Sequence, residues 1–346
     1  DYLKQTVIAN PHAEIIYITP EDKKIIFPRA SNELPKESQE IKPHPHGIEL
    51  GIFISMLQST SSKTLSSSLS NDFIRISSAN AKRICEESGL KHSMKPKEVS
   101  RDQAEKIYRV MEKTKFIGPP TNCLSPIGAE ALQKSLEKEI PGEFFASITR
   151  PAAVYRGNPF QIECAVAYGG QIDNEGQIKL LRFANRVPLQ YQQSACAITK
   201  AVVDTNWRNY SMQQSKGALP QGSLVLVIHM ASVWVPFTSE SKEAIAHYPD
   251  IIKEIKLAIQ DIGRKVSSHI RRTVRVREER ERVSLFEKYI PEVASSLSAL
   301  TKEKKDKILN DLNKILKKSL KDLIPEEESL PENKDGKKEK QTTLKA

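Results

Sequence analysis

The run Leu224–Val235, LVLVIHMASVWV, constrains this chain more than any other stretch. Near-continuous β-branched and aliphatic residues fit a strand covered on both faces rather than an alternating, half-exposed one. Pro236 has no N–H to give to a ladder and ends the pairing. Thr238, Ser239 and Ser241 follow as a loop with helix-cap residues, and Lys242 sits in that loop just past the strand. A lysine there offers a compact cation on a flexible stem to an anionic ligand at the sheet edge. On the pattern alone an ordinary solvated loop lysine is the better reading.

Around that strand the chain changes character several times, and its 346 residues suffice for about two or three domains. Residues 2–9 read as the last turns of a helix that Asn10-Pro11 stops, because the residue before proline is pushed out of the α region. Glu14–Thr19 and Lys23–Phe27 alternate as a hairpin around Pro20-Glu21-Asp22. One helix and two strands bury no core of their own, so this end reads as the tail of a domain whose body lies elsewhere. The chain begins with Asp1 and not Met, which adds to the expectation of a fragment of a longer protein. Residues 28–45 are polar and proline-bearing and read as a linker.

Helical spacing then takes over. Ile48, Ile52, Phe53, Met56 and Leu57 share a face, Leu65 and Leu69 keep a four-residue step, and Ile74, Ala79, Ala81 and Ile84 continue the pattern to Gly89 as a C′ residue. Ser100 caps a helix running to about Lys113. Residues 46–117 therefore read as a small all-α module, which Gly118-Pro119-Pro120 closes. Ser125-Pro126 opens a further helix, with proline at its first position, running to about Glu139. Beyond it the period changes to that of strands at Glu143–Ser147, Phe160–Tyr168, Ile178–Ala184 and Leu224–Val235, with a helix over Cys196–Val203. From Pro249 to about Ile290 apolar residues recur at helical steps; some 40 residues would span about 60 Å. The half from Arg271 to Arg282 is nearly all charged and is expected to leave the core. Residues 293–324 read as another amphipathic helical segment and 325–346 as a disordered tail. The fold class is α+β and multidomain.

Composition narrows the function classes. No apolar run reaches about 18 residues, so no transmembrane helix is expected, and no leader peptide is visible, which favours the cytoplasm and no membrane partner. Cys85, Cys123, Cys164 and Cys196 lie far apart without CxxC spacing, so reduced, partly buried thiols are expected rather than a zinc site. A formal net charge of +10 is compatible with a polyanionic partner, although a solvated surface gives the same sum. No HExxH, GxSxG, GxGxxG or P-loop spacing occurs. His44 and His46 in KPHPHGIELG suggest a metal pair, but no third ligand is near and a turn leading into a helix is the better reading.

Five motifs carry a resemblance: NPHAEI at 10–15, PHPHGIELG at 43–51, PPTNCLSPIG at 119–128, RVPLQYQQSACAITKAV at 186–202 and SVWVPFTSESKEAIA at 232–246. Together they resemble the B subunits of archaeal DNA topoisomerase VI over roughly residues 1–285. The resemblance implies that 1–43 is the end of a Bergerat-fold ATPase domain with its linker. It implies that 44–121 is a helix-two-turns-helix domain. Residues 122–285 would be a transducer domain like domain 2 of ribosomal protein S5, with a long C-terminal helix, and 286–346 a helical extension and basic tail. It further implies ATP and Mg²⁺ held by segments upstream of Asp1, and double-stranded DNA as substrate. The implied assembly is A2B2: a second copy of the B chain, and an A subunit that carries the cleaving tyrosine. The fragment alone is expected to be inactive.

Residue by residue, the resemblance makes Lys242 in SESK the switch lysine toward the ATP γ-phosphate, with Lys200 in ACAITK as second choice because its neighbours place it inside a helix. Trp207-Arg208-Asn209-Tyr210 resembles the family's Trp-Lys-x-Tyr DNA-contact motif, with arginine in place of lysine. An arginine forks onto phosphate, and Trp207 and Tyr210 would support it or touch the sugar edge; the motif fits a loop around a packed tryptophan as well. Lys91, Lys95 and Lys97 form a basic loop that would meet DNA if it is more than a solvated charge run. Two other classes fit the composition: a non-enzymatic nucleic-acid-binding protein, discriminated by whether an ATPase domain precedes Asp1, and a scaffold whose long helix binds a partner, favoured if DNA binding is absent at low salt.

Overall fold

In the computed structural model residues 1–323 are described, with side chains as far as Leu316. The chain divides into one unit, Asp1–Ser267, and a second that begins at Ser268. The tail expected over 325–346 lies outside the described residues.

Within the first unit the all-α module consists of α2 (Leu50–Ser59), α3 (Leu65–Asp72), α4 (Ser78–Glu87) and α5 (Arg101–Lys113). Phe53, Leu57, Leu65, Leu69, Ile84, Ile107 and Met111 fill its core, at the helical steps seen in the sequence. Reciprocal capping boxes start α3 at Thr64 with Ser67 and α5 at Ser100 with Gln103. Gly89, at φ +72°, follows the end of α4 while Leu90 donates its N–H to Cys85 O, 2.9 Å.

The PHPHG segment is a turn, as the sequence suggests. Pro45–Gly47 form a 3-10 turn in which His46 N–H donates to His44 Nδ1, 3.2 Å. His44 Nε2 lies 3.2 Å from Ile117 O and His46 Nε2 lies 3.0 Å from Thr114 O. The two rings thus sew the start of the module to its end. Gly47 and Gly157 then meet backbone to backbone. A Cβ on Gly157, whose φ is +70°, would stand 2.6 Å from His44 Nδ1, and one on Gly47 would stand 2.9 Å from Arg156 O.

The mixed sheet comprises β3 (Phe144–Thr149), β4 (Ala153–Tyr155), β5 (Asn158–Tyr168), β6 (Lys179–Ala184), β7 (Val187–Pro188) and β10 (Leu224–Ser232), while β8 (Gln213–Gln214) and β9 (Pro220–Gln221) pair with each other outside it. Its order is β3-β5-β10-β6-β7, with β4 pairing β5 as well. β10 runs antiparallel to β5 and parallel to β6, and all its residues are buried, as the uninterrupted apolar run requires. On one face Val225, Val227, Ala165, Leu181 and Phe183 share a core with Leu132 and Leu136 of α6 (Ala129–Glu139) and with Ile8 and Ala9 of α1 (Tyr2–Ala9). The helix read as the end of an upstream domain is therefore packed into this sheet. The hairpin β1 (Ile15–Ile18) and β2 (Lys24–Phe27) forms as expected but leaves Ile16, Ile18, Ile25 and Ile26 exposed.

The first half of α8 (Pro249–Thr301) buries Ile251, Ile255, Ala258, Ile259, Ile262 and Val266. Arg150 anchors it to the end of β3 through Glu254, 3.3 Å, and Asp261, 3.1 Å. The segment read as a linker has little regular structure over 28–43, yet it is strapped down: Lys138 Nζ donates to Pro28 O at 2.6 Å and Ser125 Oγ to Lys36 O at 2.5 Å. The four cysteines are free and buried.

Four boundaries differ from the sequence reading. α6 starts at Ala129 and not at Pro126, because Gly128 just before it lies outside the helical region, at φ +93°. β10 ends at Ser232, whose hydroxyl accepts from Trp234 N–H and turns the chain before Pro236. No helix follows Thr238; the loop closes on itself. α8 continues through Pro291 to Thr301, where an end near Ile290 was expected.

In the second unit, the rest of α8 carries Arg275–Glu279 and Arg277–Glu281 pairs one turn apart, 3.0 Å each, and leaves Leu285, Phe286 and Tyr289 exposed. Lys302, at φ 59°, turns the chain into α9 (Lys305–Leu323). Among the described residues no helix is long and apolar enough to cross a membrane.

Candidate functional site

The loop after β10 is built as a closed neck with an open tip. Phe237 and Ile245 bridge antiparallel, Thr238 N–H donates to Ala244 O at 2.9 Å, and Ala246 N–H donates to Pro236 O at 2.7 Å. Lys242 occupies the tip, exposed, at φ 55°, its N–H turned back onto Ser239 O, 3.2 Å. A non-glycine residue in the left-handed region carries a cost of about 1 kcal/mol, which the neck must sustain. Among the described residues nothing pairs with the Lys242 ammonium. The returning arm is fixed to α7 (Ala197–Val203): Ala197 N–H donates to Ile245 O, 2.8 Å.

Lys200 lies in α7 and is already engaged. Its Nζ donates to Asp204 Oδ1, 2.9 Å, and Lys256 approaches the other oxygen at 3.3 Å. The hydrogen bond from Lys200, with that from Lys256, holds the Asp204 carboxyl below the usual carboxylate range against the opposing effect of burial. An anion at Lys200 would have to displace that partner; at Lys242 it would not.

The Trp207–Tyr210 motif forms a 3-10 turn whose members diverge. Trp207 is fully buried and its indole N–H donates to Val202 O, 2.8 Å, so the expectation that Trp207 touches DNA gives way to a packing role. Tyr210 lies against Gly263 of α8, where a Cβ would come within 2.8 Å of the ring. Arg208 is exposed beside Asn209, with one nitrogen 3.3 Å from Gln214 O. In the helical module Lys91, Lys95 and Lys97 are all exposed between α4 and α5, and Lys95 pairs with Glu98 at 3.3 Å. Among the described residues no cluster of three or more His, Cys, Asp or Glu could hold a metal.

Sequence reasoning missed a buried polar centre. Glu163 of β5 and His229 of β10 are cross-strand partners, both fully buried, with Oε2 and Nδ1 2.7 Å apart. The Glu163 carboxylate also accepts the N–H groups of Ile127 and Gly128, 2.7 Å each, and the Thr149 hydroxyl, 2.8 Å. Burial pushes this carboxyl up, but the hydrogen bonds from His229, Ile127 and Thr149 outweigh it and hold the group below its ordinary value. His229 Nε2 accepts Arg186 N–H at 3.0 Å, which fixes the tautomer with Nδ1 as donor. The signal was present in the chain. A glutamate and a histidine inside strands covered on both faces must find partners, and the nearest candidates are each other.

A family model for the transducer of the topoisomerase VI B subunit matches residues 119–282, which takes in the sheet, the Lys242 loop and the first part of α8. The B subunit of type 2 DNA topoisomerase 6 from Methanococcoides burtonii is 42% identical over 324 residues, covering 94% of this chain and 51% of that protein. Its counterpart from Methanosarcina barkeri is 42% identical over 336 residues, covering 97% and 53%. The B subunit of DNA gyrase from Myxococcus xanthus aligns over 34% of this chain and 33% of its own at 18% identity, with a TM-score of 0.24, too slight a likeness to bear on the fold. The chain belongs to the family of topoisomerase VI B subunits, and it spans about half the length of the curated relatives it matches.

Because the Glu163 carboxyl sits below its ordinary value when folded, it stabilises the fold fully above the unfolded value, near pH 4.5, and that stabilisation is lost as pH falls through the folded one. Glu163→Gln is expected to lower unfolding free energy at pH 7 by on the order of 3 kcal/mol and to flatten the acid limb of stability. Denaturant melts of both proteins from pH 7 to pH 3 check this; parallel acid limbs would contradict it.

Proposed function

We propose that this chain is the coupling part of the ATP-operated subunit of a type II DNA topoisomerase, which relaxes supercoiled DNA by passing one duplex through another. The observation that carries the reading is one continuous path: a fully buried central strand, then a loop with an unpaired lysine at its tip, then the long helix α8. A γ-phosphate at the tip would gain a charge-assisted hydrogen bond from Lys242 that hydrolysis removes. ATP and Mg²⁺ belong to the whole protein. The described residues offer no metal cluster, and their contribution to nucleotide is Lys242, with Lys200 ranked second.

In this reading 44–121 is a helix-two-turns-helix domain, supported by its separate core, and 122–285 is an S5-like transducer, supported by the family match. Residues 1–43 complete the ATPase domain, and 286–346 extend the helix toward the DNA-cleaving A subunit in an A2B2 assembly. The exposed cluster of Leu285, Phe286 and Tyr289 supports that docking. Double-stranded DNA would be met by Arg208 and by the loop of Lys91, Lys95 and Lys97, with Trp207 and Tyr210 holding Arg208 in place.

Lys242→Met in the full-length protein is expected to slow ATP turnover and supercoil relaxation together by about 10- to 100-fold, the loss of one charged hydrogen bond. DNA binding stays intact, and Lys200→Met does much less. Steady-state ATPase and relaxation assays decide between them; a severe Lys200→Met beside a near-normal Lys242→Met puts the switch on the other element. Arg208→Glu is expected to weaken duplex binding across all sequences and to lower the salt slope by about one unit, read from binding isotherms at several salt concentrations. An unaltered slope would remove Arg208 from the interface. Truncation after Ile270 is expected to abolish co-purification with the A subunit, and retained co-purification would refute the docking assignment.

A further inference from the structure

The two-residue turn Asn185–Arg186 between β6 and β7 touches two distant parts of the chain at once. Both residues have positive φ, 45° and 68°, as a primed hairpin turn needs. On one side Asn185 grips the last residue of β10 twice: its Nδ2 donates to Ser232 O and its Oδ1 accepts Ser232 N–H, 2.9 Å each. On the other side Arg186 grips the end of α1 twice. Its Nη1 donates to Ala9 O at 3.2 Å, and its own carbonyl accepts from Asn10 Nδ2 at 3.3 Å. Its Nη2 donates to Pro126 O, 2.9 Å, and its N–H to His229 Nε2. A cation on the last carbonyl of a helix is favoured by the helix dipole as well as by the hydrogen bond.

We infer that Arg186 is a positioning residue that carries displacement of α1 across the Asn185–Arg186 turn to the end of β10, and so to the loop that holds Lys242. The inference deepens the function proposed above and rests on it. Nothing else among the described residues of this centre joins these two ends so directly. Glu163 and His229 are sealed in the core, whereas Arg186 is half-buried and lines a cavity of about 730 Å³ beside the strap residues Ser38–His44. The guanidinium can therefore let go of α1 without unpacking the sheet. The segment upstream of α1 is the one that, in the proposed reading, holds the nucleotide, so the turn stands between the nucleotide's domain and the residue that senses it.

The test uses the full-length chain assembled with the A subunit, comparing wild type, Arg186→Met, Arg186→Lys and Asn10→Ala. Arg186→Met is expected to keep ATP turnover within about twofold while raising ATP consumed per strand passage about tenfold. Arg186→Lys, which reaches one carbonyl and not two, recovers part of the coupling, and Asn10→Ala, which loosens the α1 side alone, shifts the ratio the same way. An unchanged ratio, or turnover and relaxation falling in parallel, overturns the inference. Should Arg186→Met fail to fold, Asn10→Ala decides. Hydrogen exchange on the same proteins gives a readout independent of DNA relaxation. Amides of Trp234–Ala244 are expected to exchange faster in Arg186→Met than in wild type, and equal exchange there overturns the inference. A wild-type assembly without ATP-dependent relaxation would instead refute the proposed function.

Discussion

The carboxylate of Glu163 is the point on which the architecture of the sheet depends. A charge in a fully apolar interior is costly unless its lone pairs are all taken. Here four donors come from three separate places: the adjacent amides of Ile127 and Gly128, the β3 hydroxyl of Thr149 and the β10 imidazole of His229. No local segment could satisfy the group alone. The sheet can close around Glu163 only when the loop before α6, both neighbouring strands and the β6–β7 turn are in place. The same place sets the start of α6: Gly128, at φ +93°, takes the chain out of the helical region and brings its amide and that of Ile127 onto the carboxylate, while the Pro126 carbonyl accepts from Arg186.

How much of this could be read in the chain follows from the range of the forces involved. Hydrophobic period and capping chemistry act within a few residues, so α5 with its Ser100 cap, α7 and the buried run of β10 were legible. The five motifs place the same segments in a known family. Features set by contacts distant in sequence were not legible. Pro126 looked like a helix start because its partner Arg186 lies 60 residues away. β4 is a three-residue strand that exists only because β5 is beside it. The helical pattern suggested an end near Ile290, yet α8 continues through Pro291 to Thr301.

The candidate site shows the same division. Position in the motif singled out both Lys242 and Lys200, and a ranking by helical pattern put Lys200 inside a helix, where it is found. What sequence could not supply was the carboxylate of Asp204 lying against Lys200, nor the absence of such a partner at Lys242 among the described residues. In Trp207–Tyr210, the resemblance implied an arginine supported by aromatic residues. Burial instead assigned Trp207 to the core, set Tyr210 half-buried against Gly263 and left Arg208 exposed.

The contact of Gly47 with Gly157 has a mechanical meaning. Side chains at a junction take up small shifts by changing rotamer, and so lend it compliance. Two glycines in direct backbone contact have no such reserve, and close-packed surroundings cannot be compressed to make one. The helical module and the first residues of β5 are therefore stiffly joined at this place. A shift of the Arg156–Asn158 turn of even a few tenths of an ångström reaches the helices undamped, through the clasp of His44 and His46 that stands directly behind it.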